Sequence, residues 1–170
     1  ECIKAGTAEL AASVASAPVV PAGYSTLYVL TSGAGLVIEQ VNTSPFFVVS
    51  AGGNYTIHTL VYDPAALDLS TVVFGVTTGF DVNGLLIQGG GSICAALDVA
   101  GAAFTVDQPD AGTLTAVSPE FCFDGSNVTI TATPNGNASV PPGYQTIYVL
   151  TQGPNLVIQQ VNTTPSFTVT

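Results

Sequence analysis

Few residues in this chain have side chains suited to chemistry, and their spacing argues against most reactions. The single histidine, His58, stands inside the run YTIHTLVY (55–62), and no second histidine or Cys-x-x-Cys pair accompanies it. A zinc site therefore lacks ligands. Ser70 and Asp63 flank His58 closely enough to suggest a nucleophilic triad, yet no serine sits in a nucleophile elbow. His58 reads as structural. Asp63, Asp68, Asp107 and Asp110 fall near loops and carry oxygen donors suited to Ca²⁺. No EF-hand spacing or Asp-rich nonapeptide surrounds them, so they read as turn caps and solvated carboxylates. The glycines Gly89, Gly90 and Gly91 follow a predicted helix instead of opening one, contrary to a phosphate-cradling loop. These residues predict no catalytic residue, no bound metal and no cofactor, hence a chain that is not an enzyme.

A repeat strengthens that expectation. GYSTLYVLTSGAGLVIEQVNTSPFFVVS (23–50) returns as GYQTIYVLTQGPNLVIQQVNTTPSFTVT (143–170), 120 positions on, and Cys2 and Cys122 stand at the same offset. Substitutions between the copies keep apolar positions apolar and polar ones polar. Glu39 becomes Gln159, so the pair of carboxylates needed for glycoside hydrolysis cannot belong to the repeat. Lys4 is the only basic residue, and its counterpart is Asp124, so a Lys–Asn isopeptide crosslink could not recur.

The three cysteines follow the same arithmetic. Cys2 and Cys94 can pair within the first copy, while the partner expected for Cys122 falls at position 214, outside the sequence. Cys122 is then unpaired or intermolecular, and free buried thiols are the alternative for all three. A Cys2–Cys94 bridge would stabilise by roughly 2 to 4 kcal/mol and imply an oxidising compartment. Five N-x-S/T tripeptides, at Asn42, Asn54, Asn127, Asn137 and Asn162, are candidate glycosylation acceptors. Tyr24, Tyr28, Tyr144 and Tyr148 could line a sugar-binding face, although aromatic residues on such strands usually serve the core.

The elements that must hold these residues are strands. Cys2 to Val14 predicts one or two. Ser25–Thr31 and Leu36–Val41 flank SGAG (32–35), whose two glycines suit a hairpin turn. Phe46–Ser50 and Tyr55–Tyr62 predict a second hairpin. Thr78–Gln88 is the one helical stretch, capped by Thr78, with Phe80, Leu85 and Leu86 able to face a core. Ser92–Leu97 and Ala103–Val106 close the first unit. The fold expected is all-β: an immunoglobulin-like antiparallel β-sandwich in tandem repeat, with at most one short helix. The tryptophan of antibody domains is absent. Residues 1–108 form the first sandwich, 109–111 a linker, and 112–170 the first part of a second.

Composition bounds the partners. The net charge of −10 arises from eleven carboxylates against one cation, which excludes nucleic acid. No apolar run reaches the ~18 residues of a membrane span, so no membrane insertion is expected. Scarcity of Lys and Arg denies trypsin-like proteases cleavage points, which suits an extracellular setting. The sequence opens at Glu1 without an initiator Met or a signal pattern and reads as processed or excerpted. GTLTAV (112–117) begins the second unit, and its counterpart would precede Glu1. The first unit therefore lacks its opening strand, supplied either by a longer polypeptide or by a neighbour through β-strand complementation.

The segments YVLTSGAGLVIEQVNTSPFFVV, YTIHTLVYDP and GFDVNGLLIQGGGSICAALDVAGAAFTV resemble the tandem immunoglobulin-like repeats of very large secreted surface proteins of Bacteroidota, exported by type IX secretion. The likeness spans nearly the whole chain. It implies a secreted, cell-surface structural protein forming a fibre, filament or stalk, with copies of itself or adjacent repeats as partners. The alternative is an adhesin or carbohydrate-binding module that recognises surface glycans.

Overall fold

The computed structural model describes residues 1–14, 16–122 and 124–170. Its contacts divide the chain into Glu1–Asp107 and Gln108–Thr170. The first unit contains β1 (Ala8–Ala11), β2 (Ser25–Ser32), β3 (Val37–Asn42), β4 (Phe46–Val49), β5 (Gly53–Tyr62), α1 (Gly79–Leu85), β6 (Ala95–Leu97) and β7 (Ala102–Val106). The second contains β8 (Leu114–Ala116), β9 (Val128–Pro134), β10 (Tyr148–Gln152), β11 (Val157–Asn162) and β12 (Ser166–Val169). Every pairing between these strands is antiparallel. The protein is all-β apart from α1 and two 3₁₀ turns among the described residues.

The ten-residue β5 is the axis of the first unit. One edge carries β2, and the other carries β7 beside Gly53–Ile57 and β6 beside Leu60–Tyr62. Its apolar residues are not confined to one face, because both faces are covered. On one side Tyr55 and Ile57 join Leu30 and Val106 against Ala8 and Leu10 of β1 and Phe47 and Val49 of β4. On the other, Leu60 meets Val29, Ile38, Leu67, Val82, Leu86 and Leu97. Burial of this kind supplies on the order of 25 cal/mol per Å² of apolar surface, and β5 contributes to both clusters.

Three expectations are corrected here. Phe46–Ser50 does not form a hairpin with β5: β4 pairs with β1, and the chain crosses to the other sheet between Val49 and Gly53. The helix forms, Thr78 caps it and Leu86 at its end is fully buried as expected, but Phe80 and Leu85 are half exposed, and within the helix Val82 faces the core in their place. In the β2–β3 turn, Gly33 takes positive φ as expected. The second left-handed residue is Leu36 at φ 51°, not Gly35, and Leu156 repeats it at φ 51°.

The second unit repeats these geometries. β10 and β11 pair in the register of β2 and β3, with the same irregularity after Leu150 as after Leu30. Asn162 Nδ2 donates to the Ser166 carbonyl at 2.9 Å, as Asn42 Nδ2 does to that of Phe46. Gln160 and Gln40 likewise donate to the Thr168 and Val48 carbonyls.

Candidate functional site

The most buried polar constellation lies on β2 and β5. His58 is 2% exposed and Thr31 is fully buried. A carbonyl can only accept, so His58 Nδ1–H donates to the Asp98 carbonyl at 2.8 Å. Nε2 is then left to accept from Thr31 Oγ1 at 2.9 Å, the shorter of the two contacts open to that hydroxyl, the other being the Thr56 carbonyl at 3.4 Å. Both ring nitrogens are occupied, so the imidazole has no lone pair or proton to offer a substrate. The loop between β6 and β7 supplies that carbonyl, and Gly101 shapes it. Gly101 has φ +56°, and a Cβ there would stand 2.7 Å from the Ile57 carbonyl oxygen and 2.8 Å from His58 Nδ1.

His58 and Thr31 also line a cavity of about 60 Å³ between the sheet and residues 69–82, walled by Val29, Ile38, Leu60 and Val82. Its other walls are apolar, Phe74 among them, and its only side-chain nitrogen and oxygen atoms belong to the His58–Thr31 pair. It offers shape and no reactive group.

The remaining candidates are spent on local structure. Asp63 accepts from the Ala65 amide, Asp68 from that of Ser70, and Asp110 from that of Gly112. Ser70 lies in a 3₁₀ turn capped by Asp68 and does not bond to His58, so the triad is not assembled. Asp107 is bridged through its backbone to Cys2. Among the described residues no group of three or more His, Cys, Asp or Glu side chains converges as a metal site. Glu39 accepts from Ser32 Oγ at the wall of an open cleft and is the only carboxylate lining it. The glycines after α1 permit close packing: a Cβ on Gly89 would lie 2.0 Å from the Asn83 carbonyl oxygen, and one on Gly91 2.1 Å from that of Leu85.

Cys2, Cys94 and Cys122 are all free and exposed. The expected Cys2–Cys94 bridge is not made, because the two lie at opposite ends of β5. Cys2 is bridged to Asp107, just beyond the Gly53 end, and Cys94 adjoins Ala95, the partner of Tyr62. Ten residues of strand span about 30 Å, against the ~7 Å that a disulfide tolerates between Cα atoms. The neighbour of Cys94 is Tyr24, whose hydroxyl is held above its ordinary pKa by the hydrogen bond with that thiol and, to a lesser degree, by burial.

Tyr24, Tyr28 and Tyr148 are half buried, with Tyr28 packed on the first core cluster, and only Tyr144 is well exposed. Of the candidate glycosylation acceptors, Asn42 and Asn162 bind back within their turns. Asn54 accepts from Thr105, Asn137 accepts from the Thr113 amide, and Asn127 is exposed before β9.

The strand the first unit was expected to lack is the one that would lie beside β1. In the second unit β9 is flanked by β12 and β8. Thr113, Thr115, Asn135 and Asn137 lace β8 to β9 through side-chain hydrogen bonds. In the first unit the equivalent strand β1 pairs with β4 alone among the described residues. β10 likewise pairs with β11 alone, whereas its equivalent β2 lies between β3 and β5. Comparison with protein families, curated proteins and solved structures finds no match to this chain.

Proposed function

We propose that the chain is part of an extracellular structural repeat protein, in which immunoglobulin-like β units in tandem build a surface fibre, filament or stalk and subunits join by β-strand complementation. It performs no reaction and takes no cofactor. The observation that carries this reading is the way the two copies agree. They keep backbone register, the strand irregularity, the left-handed leucine and the Asn and Gln turn bonds, while the Ser32–Glu39 pair becomes Gln152 and Gln159. Geometry is retained and the one side-chain pair with chemical character is given up. The resemblance to Bacteroidota surface repeats points to the same secreted setting. A sugar-binding face would call for an exposed aromatic platform, and three of the four tyrosines proposed for it are half buried. Negative-stain electron microscopy of native material tests the proposal: regular filaments are expected, and isolated particles that bind glycans would overturn it.

A further inference from the structure

The apolar cavity between the sheet and residues 69–82 has features that a packing void does not need. Every residue of its wall lies between Val29 and Val99, within the first unit. The wall runs from the buried Thr31, His58 and Leu60 to Val41 and Phe74, which are 43% and 54% exposed, so the cavity reaches the surface between β3 and the loop before α1. That loop is tied along β3, with Gly75 N donating to the Ile38 carbonyl at 2.9 Å and Ile38 N to the Thr77 carbonyl at 2.8 Å. Paired backbone therefore bounds the mouth.

Water is a poor guest for this space. A single water needs about 10–15 Å³ and about two to four polar partners. The cavity, at about 60 Å³, supplies the room. His58 and Thr31 are hydrogen-bonded to each other, however, and leave a water little more than a lone pair of the threonine oxygen. An apolar guest forfeits no hydrogen bond there. Its girth is bounded too, since a cavity that takes benzene measures roughly 150 Å³. A narrow chain fits where a ring does not. No residue of the wall carries a charge at neutral pH to pair with an ionised head group.

Gly79 is a second, independent observation. It is a buried wall residue at the first position of α1, and it does not take the left-handed conformation that would call for glycine. A Cβ there would meet Leu36 Cβ at 3.6 Å and the Leu36 carbonyl oxygen at 3.7 Å, which is ordinary contact. Alanine would fit, and it is the better helix former. What a methyl at position 79 would take up is space beside Leu36, which also lines the cavity. We propose that the first unit binds an uncharged alkyl chain, whose end enters this cavity between Val41 and Phe74 and packs against Ile38, Leu60 and Val82.

The test titrates hexanol into the 170-residue protein and follows its methyl groups by NMR. Saturable shifts are expected at Val29, Ile38, Leu60 and Val82, with benzyl alcohol, which carries a ring, binding about threefold more weakly or worse. Gly79→Ala is expected to weaken hexanol binding about threefold or more without lowering the urea midpoint of the unit. Val72→Leu, which fills the cavity from the loop side, makes the same test should Gly79→Ala fail to fold. Shifts that do not saturate, or that spread over exposed methyls such as those of Val19 and Val140, mean an adventitious additive only and overturn the site. Hexanol binding that neither substitution weakens overturns it as well. Entry of xenon without hexanol would reduce the cavity to a packing void.

Discussion

At the residue scale, the arrangement around His58 shows how a lone histidine is held in a core. The imidazole needs two partners, and it takes one from a neighbouring strand and one from a loop that must approach within hydrogen-bonding distance. That approach is why Gly101 stands where it does, since any side chain would meet the Ile57 carbonyl and the ring itself. Gly101→Ala is expected to destabilise the first unit by about 2 kcal/mol or more, through left-handed strain and displacement of the loop. Urea denaturation at neutral pH measures it. Thr31→Val keeps the volume and removes the hydroxyl that donates to Nε2. Leaving that buried acceptor unpaired is expected to cost about 1–3 kcal/mol in the same assay. If the substituted protein proved as stable as the original, the ring would have to have another partner.

At the element scale, local features were legible and long-range ones were not. Thr78 alone located the cap of α1, because an N-cap is a local preference, and the structure completes it as a capping box with Asp81 three residues on. Which residues the helix buries was not legible, since seven residues give barely two turns of periodicity and the choice of Val82 depends on the sheet beneath. The pairing of β4 with β1, and the separation of Cys2 from Cys94, are set by which sheet each strand joins, and nothing local encodes that. The cap carries its own predictions. Thr78→Ala is expected to cost about 1 kcal/mol. The backbone amide of Thr78 first, then its hydroxyl, hold the Asp81 carboxyl below its ordinary pKa of 3.8. The contribution is therefore complete above that value and lost as pH falls through the lower, folded one. Exchange of the first-turn amides of α1 should quicken on acidification, and Asp81→Asn should flatten that dependence. A wild-type profile that does not change in acid would show the carboxylate makes no contribution.

At the scale of the whole molecule, the repeat acts as an internal control. β2–β3 and β10–β11 share nearly all their side chains, their register and their turn geometry, so intrinsic strand propensity and turn strain are nearly equal in the two. What differs is the covering: one hairpin is paired and packed by β5 and the segment after it, and the other meets solvent. Propensity alone would give the two hairpins the same amide exchange. If tertiary burial dominates, as the marginal stability of isolated hairpins implies, Val29–Thr31 should exchange far more slowly than Val149–Thr151, by roughly a hundredfold or more. The comparison is made in one sample under one set of conditions, so solvent and intrinsic exchange rates cancel at these identical residues. A ratio near one would mean that β10–β11 is stable without such a cover.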